Sequence, residues 1–284
     1  MDAFLETTAI ADLLFKDKGT SGRILEILSK YKVKYSSQYV RMEIKRGVLR
    51  HFVYLHNKAV ECKKLSEVHA CISTLSSTPQ KNKLSTVLKA IEDFYANFEQ
   101  RELRKLPVNS KPTEFQKSML AAFLRTRIRR FWTAFEKQVD IIVDDTECYK
   151  RLHVLKPPTF DGKVFDNTFS NCDKFKPGIC RLRDFCNDNE NGLVDVHTNL
   201  SKTQKPDVET EKRLRAIKEV LRVKKRDILQ RECWRMSDAL MVLEAPANSE
   251  IINGNCKHYD ALCNAVGKVS VCYRKPAAMA KSTA

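Results

Sequence analysis

The sequence predicts an α/β fold in which a parallel central sheet is flanked by helices. Short apolar segments near both ends of the chain each lead into an amphipathic helix, the pattern of strand–helix–strand units. The composition is 43% hydrophobic and 30% charged, with only 8 Gly and 9 Pro, which is typical of a globular protein. A chain of 284 residues can bury a core without disulfide or metal staples.

The first predicted strand is the apolar run at residues 3–6, which ends at Glu6. Thr7 or Thr8 can cap the helix predicted by the following AIADLLF. A second helical pattern starts at Gly22 and leads into KVKYSS, whose alternation predicts the second strand. The next segment, QYVRMEIKRGVLRHFVYLHNKAVE, predicts a helix that bends at its glycine.

The middle of the chain is predicted to be an insertion. Residues 59–105 have helical periodicity with a break at SSTPQKN. Six prolines then punctuate a stretch that contains one clear helix, at 114–140, and is otherwise irregular and Cys-bearing. We therefore expect a discontinuous domain of residues 1–97 and 206–275, a mostly helical insertion at 98–205, and a disordered tail at 276–284.

The last third returns to helices and strands. Helical patterns cover residues 207–231 and continue through CWRMSDALMVLEA. A strand is expected at 250–252, followed by a turn at Asn-Gly-Asn and a short helix. The final predicted strand is VSVCY at 269–273.

The charge balance favours a polyanionic partner. The chain has 51 Lys and Arg against 35 Asp and Glu, a net charge of +16, which suits nucleic acid or another anionic surface. No apolar stretch is long enough to span a membrane, and the N-terminus lacks the basic segment of a secretion signal. We therefore expect a cytoplasmic protein with no membrane partner, in which most of the ten cysteines are reduced thiols.

Four polar residues form the candidate catalytic site. Ligands of open parallel sheets collect at the carboxyl ends of the strands, where Glu6 and Asn255 are expected. Asp238 begins an apolar helical stretch, and Glu43 lies one turn into the helix after the second strand. Carboxylate and amide oxygens suit Mg²⁺ or Mn²⁺, and a metal-bound water can act as the nucleophile.

The same residues carry a resemblance to PIN-domain nucleases. FLETTAIADLL, YSSQYVRMEI, MSDALMVLEA and IINGNCKHYDAL resemble, in the family's order, its four motifs. The resemblance implies a metal-dependent nuclease that hydrolyses phosphodiester bonds and prefers RNA over DNA. In it, Glu6, Glu43 and Asp238 would hold Mg²⁺ or Mn²⁺ while Asn255 orients a ligand or water. It covers about 1–60 and 207–273. Glu6 stands where the family has Asp, and Asn253 replaces the usual Thr.

Other functions and simpler roles stay open. The chain could be a catalytically degenerate PIN-like module that only binds nucleic acid, or a toxin-like ribonuclease regulated by a protein partner; a homodimer is a further alternative. Asp238 could simply favour a helix N-terminus, Glu43 could be a solvated helix charge, and Asn255 could be a turn residue.

Two helices carry the predicted nucleic-acid contacts. Basic and aromatic residues alternate in the helix at 114–140, which suits single strands, although aromatics at this spacing also form core faces. The helix at 211–231 has a strongly basic outer face, which suits phosphates but also a solvated helix. The predicted contacts are Arg125, Arg129, Arg130, Arg215, Lys218 and Arg222.

A zinc site is a further candidate within the insertion. Its ligands would be Cys148, Cys172, Cys180 and Cys186, which could stabilise an otherwise poorly apolar segment. Their spacing matches no zinc-ribbon pattern. The simpler alternative is a set of thiols packed under loops.

Overall fold

The computed structural model describes residues 1–15, 18–76, 81–101, 112–147, 157–166 and 181–274. Within these ranges the protein has a five-stranded, all-parallel sheet with helices around it, in the strand order β3-β2-β1-β4-β5, so the predicted α/β parallel class is confirmed. The strands are β1 (Asp2–Leu5), β2 (Lys34–Ser37), β3 (Ile141–Val143), β4 (Ser249–Asn253) and β5 (Ser270–Cys272).

The helices in the described ranges match most of the sequence patterns, but the helix predicted at 207–231 ends at Arg222, and a separate short helix begins at Gln230. They are α1 (Thr7–Phe15), α2 (Lys18–Leu28), α3 (Gln38–Ile44), α4 (Arg50–Glu61), α5 (Leu65–Ser76), α6 (Lys81–Arg101), α7 (Pro112–Gln138), α8 (Leu182–Asp188), α9 (Glu190–Ser201), α10 (Val208–Arg222), α11 (Gln230–Arg235), α12 (Ser237–Glu244) and α13 (Cys256–Ala265). A π-helical segment at Lys45–Leu49 contains the glycine at which the sequence predicts a bend. None of these helices combines the length and the apolar composition that crossing a membrane requires.

The sheet reverses its order next to its central strand. β1 pairs with β2 on one side, with Ala3 opposite Lys34, and with β4 on the other, with Phe4 opposite Ile251. Strands that follow β1 along the chain therefore add first to one side and later to the other. In open parallel sheets this reversal leaves a crevice at the carboxyl ends of the two neighbouring strands. We call the ends of β1 and β4 the switch point.

The chain divides into two compact units. The first contains Met1–Met42, Lys137–Leu155 and Ser170–Ala284, and therefore the whole sheet. Its core is built from fully buried apolar side chains of the strands and of the helices beside them, including Phe4, Ile10, Leu240 and Ile251. Consecutive residues of β1 and of β4 are fully buried, which explains why these two strands contain uninterrupted apolar segments.

The second unit contains Glu43–Glu136 and Lys156–Phe169 and is helical. Its core includes Phe52, Leu124 and Phe135, each at most 2% exposed. Asn57 fixes a short non-helical segment to α4. Its side-chain Nδ2 donates to the carbonyl oxygen of Phe165 at 2.7 Å, and its Oδ1 accepts from the Phe165 backbone amide at 2.9 Å.

The segment predicted to be an insertion differs from the expectation in two ways. Its sequence predicts one clear helix and otherwise irregular structure, but this segment also supplies strand β3 and helices α8 and α9. A three-residue Ile-Ile-Val strand is too short to show an alternating pattern, and its pairing with β2 is a long-range contact that local sequence does not reveal. The second unit also begins at Glu43, so it includes helices that we had expected in the nuclease-like domain. The tail at 276–284 lies outside the described residues.

Candidate functional site

Glu6 lies at the switch point, immediately after β1. Its side chain is 1% exposed and caps α1, a role that the sequence analysis gave to a threonine. Oε2 accepts the Thr8 amide at 2.7 Å and the Thr8 hydroxyl at 3.0 Å. Oε1 accepts the Ala9 amide at 2.9 Å and the Gly254 amide at 3.2 Å. Glu6 therefore connects the end of β1 to the end of β4.

These four donors determine the chemistry of the Glu6 carboxylate. An ionised carboxylate has about four lone-pair positions, and each oxygen of Glu6 already accepts two hydrogen bonds. Burial, the largest influence, and the negative charge of Asp238 together raise the pKa of Glu6 to about 7, against hydrogen bonds from Thr8 and Gly254 that lower it. Glu6 is therefore poised between its neutral and charged forms near neutral pH.

Asp238 occupies the second position of α12 and forms an ion pair with Arg213 of α10. The Arg213 side chain is 5% exposed and that of Asp238 is 23% exposed. The Nε and Nη1 atoms of Arg213 are buried without a hydrogen-bond partner in the described part of the chain. Since Asp238 also acts electrostatically on Glu6, both carboxylates belong to the same region.

Asn255 follows β4 and begins α13. Its backbone carbonyl accepts the amides of His258 and Tyr259, both at 3.1 Å. The Asn255 side chain is half-buried and forms no hydrogen bond with the residues that the structure describes. The preceding Gly254 is the residue whose amide binds Glu6, so Asn255 also lies at the switch point.

Glu43 lies near the end of α3, is half-buried, and is the first residue of the second unit. Its assignment as a metal ligand beside Glu6 and Asp238 stays a prediction. Among the side chains that the structure describes, no three His, Cys, Asp or Glu are grouped so that they could hold a metal ion.

Gly254 and Tyr273 form a contact that the sequence analysis missed. A Cβ at Gly254 would lie 2.1 Å from the Tyr273 phenolic oxygen, so this position has room only for glycine. The Tyr273 hydroxyl donates to Asp12 at 2.7 Å, and the Arg274 guanidinium binds the same carboxylate. The Asn-Gly-Asn sequence signalled a turn, but nothing local signalled a tyrosine packed over its glycine.

His258 connects α13 to α10. Its Nε2 lies 3.1 Å from Oδ2 of Asp207. Asp207 caps α10 by accepting the Thr210 amide at 2.8 Å, and this hydrogen bond, supported by His258, holds the pKa of Asp207 well below its usual range. His258 lies within IINGNCKHYDAL, the segment that resembles the fourth motif, but its partner Asp207 is 51 residues away along the chain, so local sequence does not reveal the contact.

The cysteines next to the switch point form a disulfide. Cys256 at the start of α13 is bonded to Cys272 of β5, whereas five other described cysteines form no disulfide. Cys186, one of the predicted zinc ligands, is buried. Its three proposed companions, Cys148, Cys172 and Cys180, lie outside the described residues.

The predicted basic contacts on α7 have several environments. The guanidinium carbons of Arg125 and Arg129 each lie 5.5 Å from the centroid of the Phe160 ring, while Arg130 is exposed. Phe131 and Phe135 of the same helix are both 2% exposed. They are core residues, so the stacking role considered for these two aromatics is wrong.

The predicted basic contacts on α10 are all exposed. Arg215 pairs with Glu211 at 3.4 Å and Arg222 pairs with Glu219 at 3.0 Å. Lys218 lies on the same outer side of the helix. This surface is basic, but part of its charge is balanced by glutamates on the same helix.

No family model, curated protein or solved structure matches this chain. What can be said of its function therefore rests on the chemistry of the switch point and of the basic surfaces.

Proposed function

We propose that this protein is a PIN-like nucleic-acid-binding module whose carboxylate site holds an internal arginine in place of a metal ion. The fold supports the first part: a parallel sheet reverses its order at β1 and β4, and Glu6, Asp238 and Asn255 lie at or beside that reversal. The net charge of +16 supports a polyanionic partner.

The observation that carries the second part is the set of four hydrogen bonds to Glu6. Carboxylate oxygens have the right chemistry for Mg²⁺ or Mn²⁺. However, each oxygen of Glu6 already accepts two donors, so a metal ion would have to displace at least one of them. The residues in this arrangement therefore do not fit a metal ion.

The Arg213–Asp238 ion pair supports the same conclusion. The Arg213 guanidinium lies against the Asp238 carboxylate. It keeps a positive charge there, because arginine stays protonated at all physiological pH values. A metal ion bound by Asp238 would need to compete with this buried cation. In the proposed module, Glu6 and the ion pair stabilise the switch point, and the exposed basic residues bind phosphates.

A metal-dependent ribonuclease is the second candidate, and two observations favour it. Asp238 acts electrostatically on Glu6, so two carboxylates share the region, and the Asn255 side chain makes no capping hydrogen bond to α13. In this candidate Glu6, Glu43 and Asp238 would hold Mg²⁺ or Mn²⁺, which would supply an activated water. Asn255 would orient a ligand, and RNA would be preferred over DNA.

Binding and cleavage assays with the same RNA distinguish the two candidates. We expect wild-type protein to bind a mixed-sequence single-stranded RNA in EDTA, with affinity that falls steeply as salt increases. We expect no cleavage in Mg²⁺ or Mn²⁺. Cleavage that depends on Mn²⁺ and is lost in Asp238→Asn, with folding confirmed by circular dichroism, would establish the nuclease instead. A wild-type protein that binds no RNA would overturn the proposed binding function.

A further inference from the structure

A groove runs along the outside of the first unit between α10 and α11. It consists of two adjoining cavities of about 490 and 570 Å³. Leu229, Arg231 and Arg235 line both of them, so the two cavities form one continuous surface. We call this surface the α10–α11 groove.

The groove has an excess of positive charge. Five cations line it, against two carboxylates, Glu219 and Glu232. Both carboxylates are near Arg226, with Glu232 at 2.7 Å and Glu219 at 3.7 Å. The other four cations are Lys212, Arg215, Arg231 and Arg235.

Three of these cations are available to a ligand. Lys212, Arg231 and Arg235 form no ion pair with any carboxylate that the structure describes, whereas Arg215 pairs with Glu211. Cations held near one another without anionic partners repel each other, and a polyanion in the groove relieves this repulsion.

The groove also contains an exposed aromatic ring. Trp234 is 49% exposed and the neighbouring Leu229 is 48% exposed, both unusually accessible for large apolar side chains. The adjacent Glu232 and Cys233 are buried and anchor α11, so the indole projects from a fixed element. The other tryptophan of the chain, Trp132, is 6% exposed.

We infer that the α10–α11 groove binds single-stranded RNA, with a base stacked on Trp234 and phosphates bound by Lys212, Arg231 and Arg235. An exposed ring among unpaired cations matches the way in which single strands are bound, by stacking on aromatic side chains and by phosphate contacts. A duplex keeps its bases stacked inside, so Trp234 selects single strands. This inference rests on the proposed nucleic-acid-binding function and gives it a location.

The position of the groove relates it to the switch point. Lys212 on the outer face of α10 lines the groove, while the next residue, Arg213, points inward to Asp238. Trp234 of α11 lies only a few residues before Asp238 of α12. A strand bound in the groove therefore contacts the same two helices that position the Arg213–Asp238 ion pair.

Tryptophan fluorescence tests the stacking directly. We expect an oligouridylate of roughly 12 nucleotides, within the usual site size for single strands, to quench the emission of wild-type protein on binding. The quenching should be absent in Trp234→Phe, because the remaining Trp132 is buried. Equal quenching in wild type and Trp234→Phe would overturn the stacking.

Affinities of matched variants test the groove as a whole. Trp234→Ala should weaken oligouridylate binding by roughly 5- to 150-fold, the range for loss of one base–aromatic stack, while Trp234→Phe should retain most of the affinity. Arg231→Ala with Arg235→Ala should lower the log–log salt slope by about 1.4, or 0.7 per lost contact to a single strand. Lys202→Ala with Lys205→Ala removes the same charge from exposed positions outside the groove and should leave the slope nearly unchanged.

The outcomes separate this inference from the function on which it rests. Wild-type protein that binds RNA, with Trp234→Ala and the Arg231/Arg235 variant unchanged, would overturn the groove and leave the binding function intact. Wild-type protein that binds no RNA would overturn both. Quenching of Trp234 by poly-glutamate at the same concentrations as by oligouridylate would identify the groove as a docking site for acidic protein segments, and would also overturn the inference.

Discussion

Arg213 and Asp238 form an ion pair in which the arginine is almost completely buried and the aspartate is partly exposed. The pair joins α10 to α12, next to the carboxyl end of the central strand. Two further nitrogens of the guanidinium are buried without a partner among the described residues. Asp238 is therefore the main counter-charge of the buried Arg213 guanidinium, and removing it should destabilise the folded state.

The first prediction concerns the stability of this pair. Asp238→Ala leaves the Arg213 guanidinium buried and uncompensated, so the free energy of unfolding should fall by about 3 kcal/mol, at the lower end for broken buried pairs. Arg213→Met with Asp238→Ala removes both charges and should lose less than the single variant. Urea denaturation of both variants provides the measurement.

An exposed ion pair on the same helix serves as the control. Glu211→Ala removes the partner of Arg215, and both side chains of this pair are exposed, so the change should cost at most about 1 kcal/mol. A loss in Asp238→Ala no larger than in Glu211→Ala would contradict the central role of the buried pair.

The second prediction concerns pH. The pKa of Glu6 is raised from 4.5 to about 7 by burial, so the folded state holds the proton more tightly than the unfolded state. The resulting stabilisation is fully present below about pH 4.5 and is lost as the pH rises through about 7, by roughly 3 kcal/mol at most. The free energy of unfolding should therefore fall over this interval.

The Glu6→Gln variant isolates the contribution of this residue. Glutamine does not titrate, so the decline of stability between about pH 4.5 and pH 7 should be shallower in Glu6→Gln than in wild type. Glu244 is also buried with a pKa of about 7 and contributes in the same direction to both proteins. Identical pH profiles for wild type and Glu6→Gln would show that Glu6 does not titrate in this interval.

The third prediction concerns Gly254. A Cβ atom at this position would lie 2.1 Å from the phenolic oxygen of Tyr273. Gly254→Ala must therefore shift the tyrosine away from Asp12. Overpacking of this kind typically costs about 1–3 kcal/mol. Gly22→Ala in α2 is the control, because a Cβ at Gly22 meets nothing within 4 Å and helix propensity should stabilise it by about 0.5–1 kcal/mol. Equal thermal stability of the two variants would refute the close contact.

The sequence predicted the parts of the fold that depend on local patterns. Strands β1 and β4 could be predicted because each is a short apolar run that leads directly into a helical pattern. Strand β3 was not predicted, because three residues are too few to show an alternating pattern and its partner, β2, is distant in sequence. The sequence predicts an interruption or kink at Gly47, and the structure has a π-helical segment there, a form that the sequence does not indicate.

In the candidate site, too, the sequence predicted local positions but not long-range partners. The positions of Glu6, Asp238 and Asn255 at strand or helix ends follow from local pattern. Their partners do not, because Arg213 lies 25 residues from Asp238 and Gly254 lies 248 residues from Glu6. An arginine on a helix that is basic all along its outer face gives no sign that it faces inward to a carboxylate.

The last prediction concerns what prevents metal binding. Two features oppose it: four donors bind the Glu6 carboxylate, and the Arg213 guanidinium is paired with Asp238. Glu6→Asp shortens the side chain by one methylene, so its carboxylate cannot reach all four donors. Arg213→Met frees Asp238. We expect the double variant to bind Mn²⁺ in the millimolar range, and wild type to bind none.

Thermal unfolding with and without Mn²⁺ measures this difference. A ligand at ten times its dissociation constant stabilises the folded state by about 1.4 kcal/mol, which is a shift of a few degrees for a protein of this size. Adding Asp238→Asn to the double variant should abolish the shift, because the freed carboxylate is the expected ligand. A Mn²⁺ shift in wild type that is lost in Asp238→Asn would mean that the metal displaces Arg213 unaided, and the nuclease would then be the better account of this site.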